Sequence, residues 1–243
     1  MSNSGEYYDD VVASKRDSYF ASRVYSDGVT EVLLSEISNL IHEIRPKRIL
    51  DLGTGNGYLI REVYRRNKSY LKDCELIGID TSDAMLIKAR SMNDKKIKYL
   101  KMDNNNISFT DGTFDLIIAK AVSNLSITEV FRLLRNNGWF LSKEYGHGKG
   151  ILEITELLKI DNVDKGKEYW RQIKQLPFKY KEYREYLIKV ERSVEDVLET
   201  LSIMRILPKN YERTTLKNDI GNYFGSSKTK MFSSDPYIIR LCK

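Results

Sequence analysis

Along the first 146 residues of the chain, segments with the helical spacing of apolar residues alternate with short apolar runs typical of strands. Residues 30–44 (TEVLLSEISNLIHEI) carry apolar side chains on one helical face, and residues 48–52 (RILDL) form a short apolar run typical of a buried strand. The same alternation predicts further strands at 75–80, 96–103, 114–122 and 139–146, and further helices at 58–66, 81–92 and 127–134. Strands that alternate with helices predict an α/β fold with a doubly wound, mostly parallel sheet.

The alternation weakens towards the C-terminus. Asn137-Gly138 predicts a turn before the fifth strand, and residues 151–159 and 194–206 have helical patterns. The closing DPYIIRLCK predicts a last strand. In residues 167–192 the spacing of apolar and aromatic residues fits both a helix and a strand, and we expect a strand in the second half of this segment.

Composition narrows the class of protein. The chain has 243 residues, of which 41% are hydrophobic, enough for a single compact domain. No apolar run approaches the roughly 18 residues of a membrane span. The N-terminal MSNSGEYYDDVV also lacks a secretory signal pattern, so we expect a cytoplasmic protein without a membrane partner. Two cysteines and two histidines argue against a disulfide framework and a metal site, and the sequence indicates no particular oligomeric state.

Three glycines at alternate positions, Gly53, Gly55 and Gly57, follow the first strand and precede a helix. In an open α/β sheet, ligands bind at the carboxyl ends of the strands. Glycines there let a ligand touch the backbone, and the following helix presents unpaired N–H groups. The loop therefore suits an adenosine-type ligand. The alternative is a tight structural turn, for which one glycine would normally suffice.

An acid stands at or near the end of each of the first three predicted strands. Asp80 ends the second strand, where a carboxylate can accept hydrogen bonds from both hydroxyls of a ribose. Asp103 ends the third strand, where it can accept a hydrogen bond from an exocyclic amine, and Asp51 precedes the glycines within reach of an ammonium group. Each acid alone could be a helix cap or a surface residue. Three aimed at one crevice favour a ligand site.

The stretch LDLGTGNGYL, followed by LIGIDTSDAML and MDNNNISFTDGTFDLIIAKAV, resembles class I S-adenosylmethionine-dependent methyltransferases of the UbiE-like, methyltransferase type 11 group. The similarity covers about residues 45–146, and the closing DPYIIRLCK resembles the family's final strand. The resemblance implies a Rossmann-like seven-stranded sheet in the order 3-2-1-4-5-7-6, with strand seven antiparallel, helices on both faces and a helical cover. It implies S-adenosyl-L-methionine as cofactor and says little about the methyl acceptor.

The resemblance also implies roles for individual residues. Asp51 and Gly53 would hold the methionine end of the cofactor, Gly55 and Gly57 would line the loop, and Asp80 would take the ribose hydroxyls. The remaining cofactor residues would contact the adenine or the methionine side; they are Thr54, Thr81, Met85, Asp103, Asn104, Lys120 and Ala121.

A nicotinamide dehydrogenase is the closest competing interpretation, because it also uses glycines and an acid after the second strand. Its fingerprint is GxGxxG, usually with an apolar residue before the first glycine. Here the pattern is GTGNG, and the methyltransferase interpretation is favoured.

Two segments are expected to cover the acceptor site. The first, residues 7–29, is rich in aromatic residues that could bind a flat or cationic acceptor, although an ordinary packed helix would look the same; its candidates are Tyr8, Tyr19, Phe20 and Tyr25. The second, residues 142–150 (SKEYGHGKG), contributes Glu144, Tyr145 and His147 at the expected rim. His147 is flanked by glycines, so we expect it to be exposed. Tyr8, Tyr19, Glu144 and His147 are the candidates for a catalytic role, and a general base is not required in every case.

Residues 167–192 leave a nucleic-acid alternative open. The segment has eight basic and four acidic residues, interleaved with aromatics, and could hold RNA phosphates and bases. Long cationic side chains also commonly cover apolar surface. The main hypothesis is a methyltransferase acting on a nitrogen or oxygen of a small molecule, natural product or modified peptide. An RNA methyltransferase is the second hypothesis, and a nucleotide-binding module without an acceptor pocket is the third.

The expected organisation is one domain over residues 1–243. Residues 1–45 would form an N-terminal helical segment over the active site, residues 46–146 the cofactor-binding core, and residues 147–243 a cover insertion with the last strands.

Overall fold

A computed structural model describes residues 28–92, 95–122, 125–147, 150–160, 165–204 and 213–243. The helices are α1 (Val29–Ile44), α2 (Tyr58–Arg66), α3 (Asp83–Ser91), α4 (Ile127–Leu133), α5 (Leu152–Leu157), α6 (Lys165–Gln175), α7 (Val194–Met204) and α8 (Arg213–Phe224). The strands are β1 (Arg48–Leu52), β2 (Glu75–Asp80), β3 (Ile97–Lys101), β4 (Phe114–Lys120), β5 (Leu134–Tyr145), β6 (Tyr180–Glu185), β7 (Ile188–Ser193), β8 (Thr229–Ser234) and β9 (Pro236–Cys242).

Seven strands form one sheet in the order β3-β2-β1-β4-β5-β9-β6. The strands β1 to β5 pair in parallel, and β9 runs antiparallel between β5 and β6. With β6 as the sixth strand and β9 as the seventh, this is the expected order, and the prediction of a doubly wound Rossmann-like fold is confirmed. A separate pair, β7 and β8, forms a two-stranded antiparallel sheet.

Both faces of the sheet are covered because its central strands are apolar on both sides. One face packs against α1, α2 and α3, and the other against α4 and α6. Leu33, Ile37 and Ile41 show how α1 does this, since they lie three or four residues apart and are fully buried. Each buried side chain of this kind contributes about 1.5–3 kcal/mol of hydrophobic stabilisation. The helix ends where Arg45 turns left-handed (φ 47°) before Pro46.

A third apolar cluster lies outside the main sheet and belongs to the insertions after β5 and between β6 and β9. Ile154 of α5, Val197 of α7, Ile220 of α8 and Phe232 of β8 are buried together there. We call this part of the chain the cover. The strand β5 ends where β9 begins, with Tyr145 opposite Pro236. The cover is therefore attached at the carboxyl edge of the parallel strands.

Of two local expectations, one agrees with the structure and the other does not. The expected strand in the second half of residues 167–192 is present as β6, followed by β7, while α6 occupies the first half. The predicted turn at Asn137-Gly138 is wrong. These residues lie within β5, where Asn137 has φ 62° and the register against β4 shifts. Asparagine tolerates the left-handed region, so the chain accommodates an irregularity inside the strand.

Among the described residues, no helix combines the length and apolar character needed to cross a membrane.

Candidate active site

The described residues form a crevice at the carboxyl end of β1, beside β4. At this point the strand order reverses, because β1 continues to β2 on one side and adjoins β4 on the other. Ligands of open α/β sheets bind at such a switch point. The crevice is lined by Asp51, Gly53, Thr54, Gly55, Asn56, Tyr58, Leu59, Met85, Lys120 and Ala121.

The glycine loop needs its glycines for two different reasons. All three have positive φ, between 56° and 78°, a region in which other residues are strained. A Cβ on Gly53 would lie 2.9 Å from a methyl carbon of Val122, so that position is closed by packing. A Cβ on Gly55 would meet nothing within 4 Å. Gly55 is thus the position in the loop with open space beside its backbone.

Hydrogen bonds fix the loop against β2. Asp80 accepts from the Gly55 N–H at 2.8 Å with one oxygen and from the Ser82 N–H at 2.9 Å with the other. The Thr54 N–H donates to the Ile79 carbonyl at 2.8 Å. Gly78 has room for this arrangement only because it lacks a Cβ, which would lie 2.7 Å from the Thr54 hydroxyl. The Asp80 carboxylate keeps lone pairs for further donors, since each oxygen accepts one backbone bond.

Asp51 carries a buried carboxyl group at the base of the crevice. Its side chain is 1% exposed, and it accepts a 2.6 Å hydrogen bond from the Thr54 hydroxyl. Burial raises the pKa of Asp51 to about 7, against the lowering effects of Thr54, of the Ile60 N–H and of Lys120. Desolvation without a closely paired cation is the physical cause. An ammonium group bound in the crevice would restore the carboxylate form.

The expected adenine side lies at the same edge. Met85, at the start of α3, is 2% exposed and lines the crevice, and Thr81 stands in the turn after β2. After β3, Asp103 is exposed and accepts from the N–H of Asn105 at 2.9 Å. Asn104 differs, because its Oδ1 is buried and has no hydrogen-bond partner among the described residues. An exocyclic amine would satisfy that oxygen.

The backbone at the end of β4 is strained, and hydrogen bonds hold it in place. Ala121 has φ 55°, and its N–H donates to the Lys143 carbonyl at 2.9 Å. The next N–H, that of Val122, donates to both carboxylate oxygens of Glu144, at 2.9 and 3.1 Å. Lys120 lies beside Tyr58, with its ammonium 5.7 Å from the ring centroid. A positive φ at alanine costs roughly 1–3 kcal/mol and persists only where neighbours hold it.

The residues proposed for the acceptor rim are more buried than expected. Glu144 is 5% exposed and anchors the backbone beyond β4, and Tyr145 is 7% exposed with the Lys143 ammonium 4.1 Å from its ring centroid. His147 is half-buried and therefore less exposed than expected. Glu144 and Tyr145 pair with Tyr237 and Pro236 of β9 at the carboxyl end of β5. Tyr8, Tyr19, Phe20 and Tyr25 lie outside the described residues.

Sequence reasoning missed three residues that line the crevice, Asn56, Tyr58 and Leu59. Asn56 lies between Gly55 and Gly57, and Tyr58 and Leu59 open the first turn of α2. The signal that could have found them is their place within and directly after the glycine loop, where a helix begins at the switch point.

The basic and aromatic segment 167–192 is engaged in packing. Trp170 stacks on Tyr183 with ring centroids 5.5 Å apart. Arg184 forms ion pairs with Glu36 at 2.6 Å and with Glu182 at 2.7 Å. These contacts give the RNA hypothesis no support.

The sequence matches a family model described as "Methyltransferase domain" over residues 45–210. The chain belongs to this methyltransferase family. The resemblance to class I S-adenosylmethionine-dependent methyltransferases is thereby confirmed.

The chain has relatives in sequence and in structure. It is 32% identical over 153 residues to a demethylmenaquinone methyltransferase of Thermotoga maritima, and the match covers 61% of this chain and 59% of that protein. The chain thus spans less than two thirds of the length of this relative. A Bacillus halodurans protein described as a methyltransferase has the same fold, with a TM-score of 0.60 and 13% identity, over 86% of this chain and 98% of that one.

A second structural neighbour has the same fold and is described as a different kind of enzyme. The cyclase SpnF superimposes with a TM-score of 0.59 and 14% identity, over 98% of this chain and 95% of that one. At such identity the likeness shows the fold alone, and this fold also carries a cyclase. The residues of the site must therefore support the reaction.

Among the described residues, no group of three or more His, Cys, Asp or Glu side chains is arranged to hold a metal ion.

Proposed function

We propose that this methyltransferase binds S-adenosyl-L-methionine in the crevice at β1 and β4 and transfers its methyl group to a nitrogen or oxygen atom. The acceptor would be a small molecule, a natural product or a modified peptide. The observation that carries the proposal is the buried carboxyl of Asp51, whose pKa is raised to about 7 by burial, next to the open backbone of Gly55.

The residues present fit the cofactor group by group. Asp51 would pair with the ammonium of the methionine moiety, and the open side of Gly55 would lie against the adenosyl group. Asp80 would accept from the ribose hydroxyls with the lone pairs that its two backbone bonds leave available. The buried Oδ1 of Asn104 would accept from the adenine amine. Met85 would pack on the adenine ring, since it is buried and lines the crevice.

The protein would have to align the nucleophile with the methyl group and exclude water from the site. When bound, the cofactor supplies a methyl group already activated on a sulfonium. Tyr58, Lys120 and Ala121 line the crevice where β4 ends, and they would bound the path by which a nucleophile approaches. Glu144 would position this path, because it holds the Val122 N–H directly after Ala121. Proximity and orientation of this kind account for much of the rate of a bimolecular displacement.

Calorimetric titration with S-adenosylhomocysteine tests the cofactor half of the proposal. We expect saturable binding at one site, and Asp80→Ala should weaken it at least about tenfold by removing the ribose acceptor, equivalent to ~1.4 kcal/mol. Asp73→Ala is a matched control, because Asp73 is exposed and precedes β2 at the opposite edge of the sheet. Equal affinities in all three proteins would refute the ribose assignment, and saturable binding of NADH would favour a dehydrogenase.

Turnover tests the reaction. The full chain is incubated with methyl-labelled S-adenosylmethionine and a panel of amine, hydroxyl and peptide acceptors. We expect labelled product together with stoichiometric S-adenosylhomocysteine. Tight cofactor binding with no label transferred to any acceptor class would instead support a binding module or a cyclase-like activity on this fold.

A further inference from the structure

A second cavity lies at the carboxyl edge of the sheet, away from the cofactor crevice. It has a volume of about 280 Å³ and is bounded by β5, β6, β9 and the loop that joins β6 to β7. Its walls include the aromatic rings of Tyr183, Tyr186 and Tyr237 and the carboxylates of Glu185 and Asp235.

The sheet register explains why these side chains converge. Glu185 lies opposite Tyr237 across the β6–β9 ladder, and Tyr183 is two residues earlier in β6, so the three side chains share one face. Asp235 immediately precedes β9. The Gly146 N–H donates to the Asp235 carbonyl at 2.8 Å, and a Cβ on Gly146 would collide with its carboxylate. Three segments distant in sequence therefore meet at one end of the sheet.

The aromatic wall is held by its neighbours. The rings of Tyr183 and Tyr237 have centroids 5.1 Å apart, and Trp170 stacks on the outer side of Tyr183. The start of α6 comes close because Gly166 has no side chain; a Cβ there would lie 2.6 Å from the Tyr183 hydroxyl. The wall therefore needs little ordering when a ligand enters.

The side chains that line the second cavity favour a positively charged ligand. Electron-rich faces of tyrosine rings attract cations, and carboxylates add a direct attraction. Glu185 is exposed and accepts from the Tyr183 hydroxyl at 3.1 Å, which leaves its second oxygen outside that bond. The nearby cation Arg184 is matched by Glu36 and Glu182 and donates to the Tyr186 hydroxyl at 3.0 Å. An anionic ligand would face two carboxylates.

The cavity is set apart from the methyl-transfer position. Neighbouring strands of a sheet lie about 4.8 Å apart, so two strand spacings from β4 to β9 separate the two places by roughly 10 Å. The strand β5 stands between them, with Lys143 opposite both Lys120 and Ile238. A group bound among the tyrosines would therefore lie too far from the end of β4 to be the atom that receives the methyl.

We propose that the second cavity binds an alkylammonium group of the acceptor and anchors it at a distance from the atom that is methylated. This inference rests on the proposed function, because it assigns the second cavity to the acceptor of the same reaction. The substrate class is then an amphiphilic or peptide-like molecule with a protonated or methylated amine about 10 Å from its nucleophile.

The test uses choline as a trimethylammonium probe and 3,3-dimethyl-1-butanol as its neutral counterpart of the same shape. Each is titrated into the full chain saturated with S-adenosylhomocysteine, and the two tryptophan indole N–H signals are followed by nuclear magnetic resonance. Trp170 adjoins the cavity through Tyr183, whereas Trp139 lies opposite Cys242, at the end of β9 remote from the cavity, and serves as the internal reference. Trp139→Phe assigns the two signals.

We expect choline to shift the Trp170 signal saturably and the neutral alcohol to bind at least about fivefold more weakly. Glu185→Gln should weaken choline binding about fivefold, while Glu43→Gln, the same change at an exposed carboxylate near the end of α1, should leave it within about twofold. Equal binding of the two probes, or equal effects of the two variants, would overturn the inference. Loss of choline binding with S-adenosylhomocysteine still bound refutes the anchor alone, whereas failure to bind S-adenosylhomocysteine refutes the proposed function.

Discussion

Asp51→Asn should make the unliganded protein more stable and the cofactor complex weaker. Asparagine has nearly the shape of aspartate, and its amide oxygen can still accept from the Thr54 hydroxyl. What the substitution removes is a buried negative charge. A residue that only maintained the fold would give the opposite result, a loss of stability on substitution.

The size of the effect follows from the pKa of Asp51. Burial raises this pKa from 3.8 to about 7, so the folded state holds the proton more tightly than the unfolded state does. The free energy of unfolding therefore falls as the pH rises from about 4 to about 7, and above pH 7 the full penalty is present. This penalty of the ionised carboxylate corresponds to about 4 kcal/mol at pH 8 and about 2 kcal/mol at pH 5.

Urea unfolding at pH 5 and pH 8 measures this directly. The stability gained by Asp51→Asn should be larger at pH 8 than at pH 5, by roughly 2–3 kcal/mol. Asp80→Asn provides a comparison at the same edge, on a carboxylate that is bonded to two backbone N–H groups. A variant that is less stable than the natural protein at pH 8 would refute the reasoning about burial.

Ligand affinity should change in the opposite direction. An ammonium group pairs with the ionised form of Asp51, so affinity for S-adenosylhomocysteine should rise about tenfold between pH 5.5 and pH 7 in the natural protein. Asp51→Asn should bind at least about tenfold more weakly at pH 7 and lose this pH dependence. Calorimetry at both pH values provides the measurement. The same pH dependence in the variant would show that another group is responsible.

Three further predictions concern the surroundings of the crevice. Gly53→Ala should lower the free energy of unfolding by about 1–3 kcal/mol in urea, because of its positive φ and the collision with Val122, and an unchanged value would contradict the packing described. Glu144→Ala should lower the free energy of unfolding by about 1–3 kcal/mol, because it leaves the Val122 N–H unpaired, whereas Glu144→Gln should lower it by less than about 1 kcal/mol. A stable Glu144→Gln variant without turnover would instead identify Glu144 as a base. Phe232→Ala should lower the free energy of unfolding by about 3–5 kcal/mol yet leave S-adenosylhomocysteine affinity within about twofold, because no residue that lines the crevice belongs to the cover. A parallel loss of affinity would contradict the assignment of cofactor binding to the crevice.

The parallel sheet could be predicted because its strands are buried on both faces. Runs such as RILDL and FDLIIAK are continuous in apolar character, and their positions agree with β1 and β4. Residues 167–192 were ambiguous since β6 is an edge strand with half-exposed side chains, so its apolar signal is weak. The Asn137-Gly138 signal was local, and these residues instead form an irregularity within β5, where both are hydrogen-bonded to Lys243.

The candidate cofactor site was accessible to sequence reasoning because its residues lie at fixed offsets from strand ends. The crevice brings together Asp51, Gly55 and Met85 as expected. The second cavity was not accessible in this way, since Tyr183 and Tyr237 come from strands that are neighbours only in the folded sheet. The role of Glu144 was missed for a related reason, because its hydrogen-bond partner Val122 belongs to another strand's end.

A crystal structure of the full chain with S-adenosylhomocysteine bound tests the central claim most directly. The account predicts the ligand in the crevice at β1 and β4, with its ammonium within hydrogen-bond distance of Asp51 and its ribose hydroxyls on Asp80. A crevice that stays empty at saturating ligand, or a ligand whose charged and ribose groups contact other residues, would contradict it.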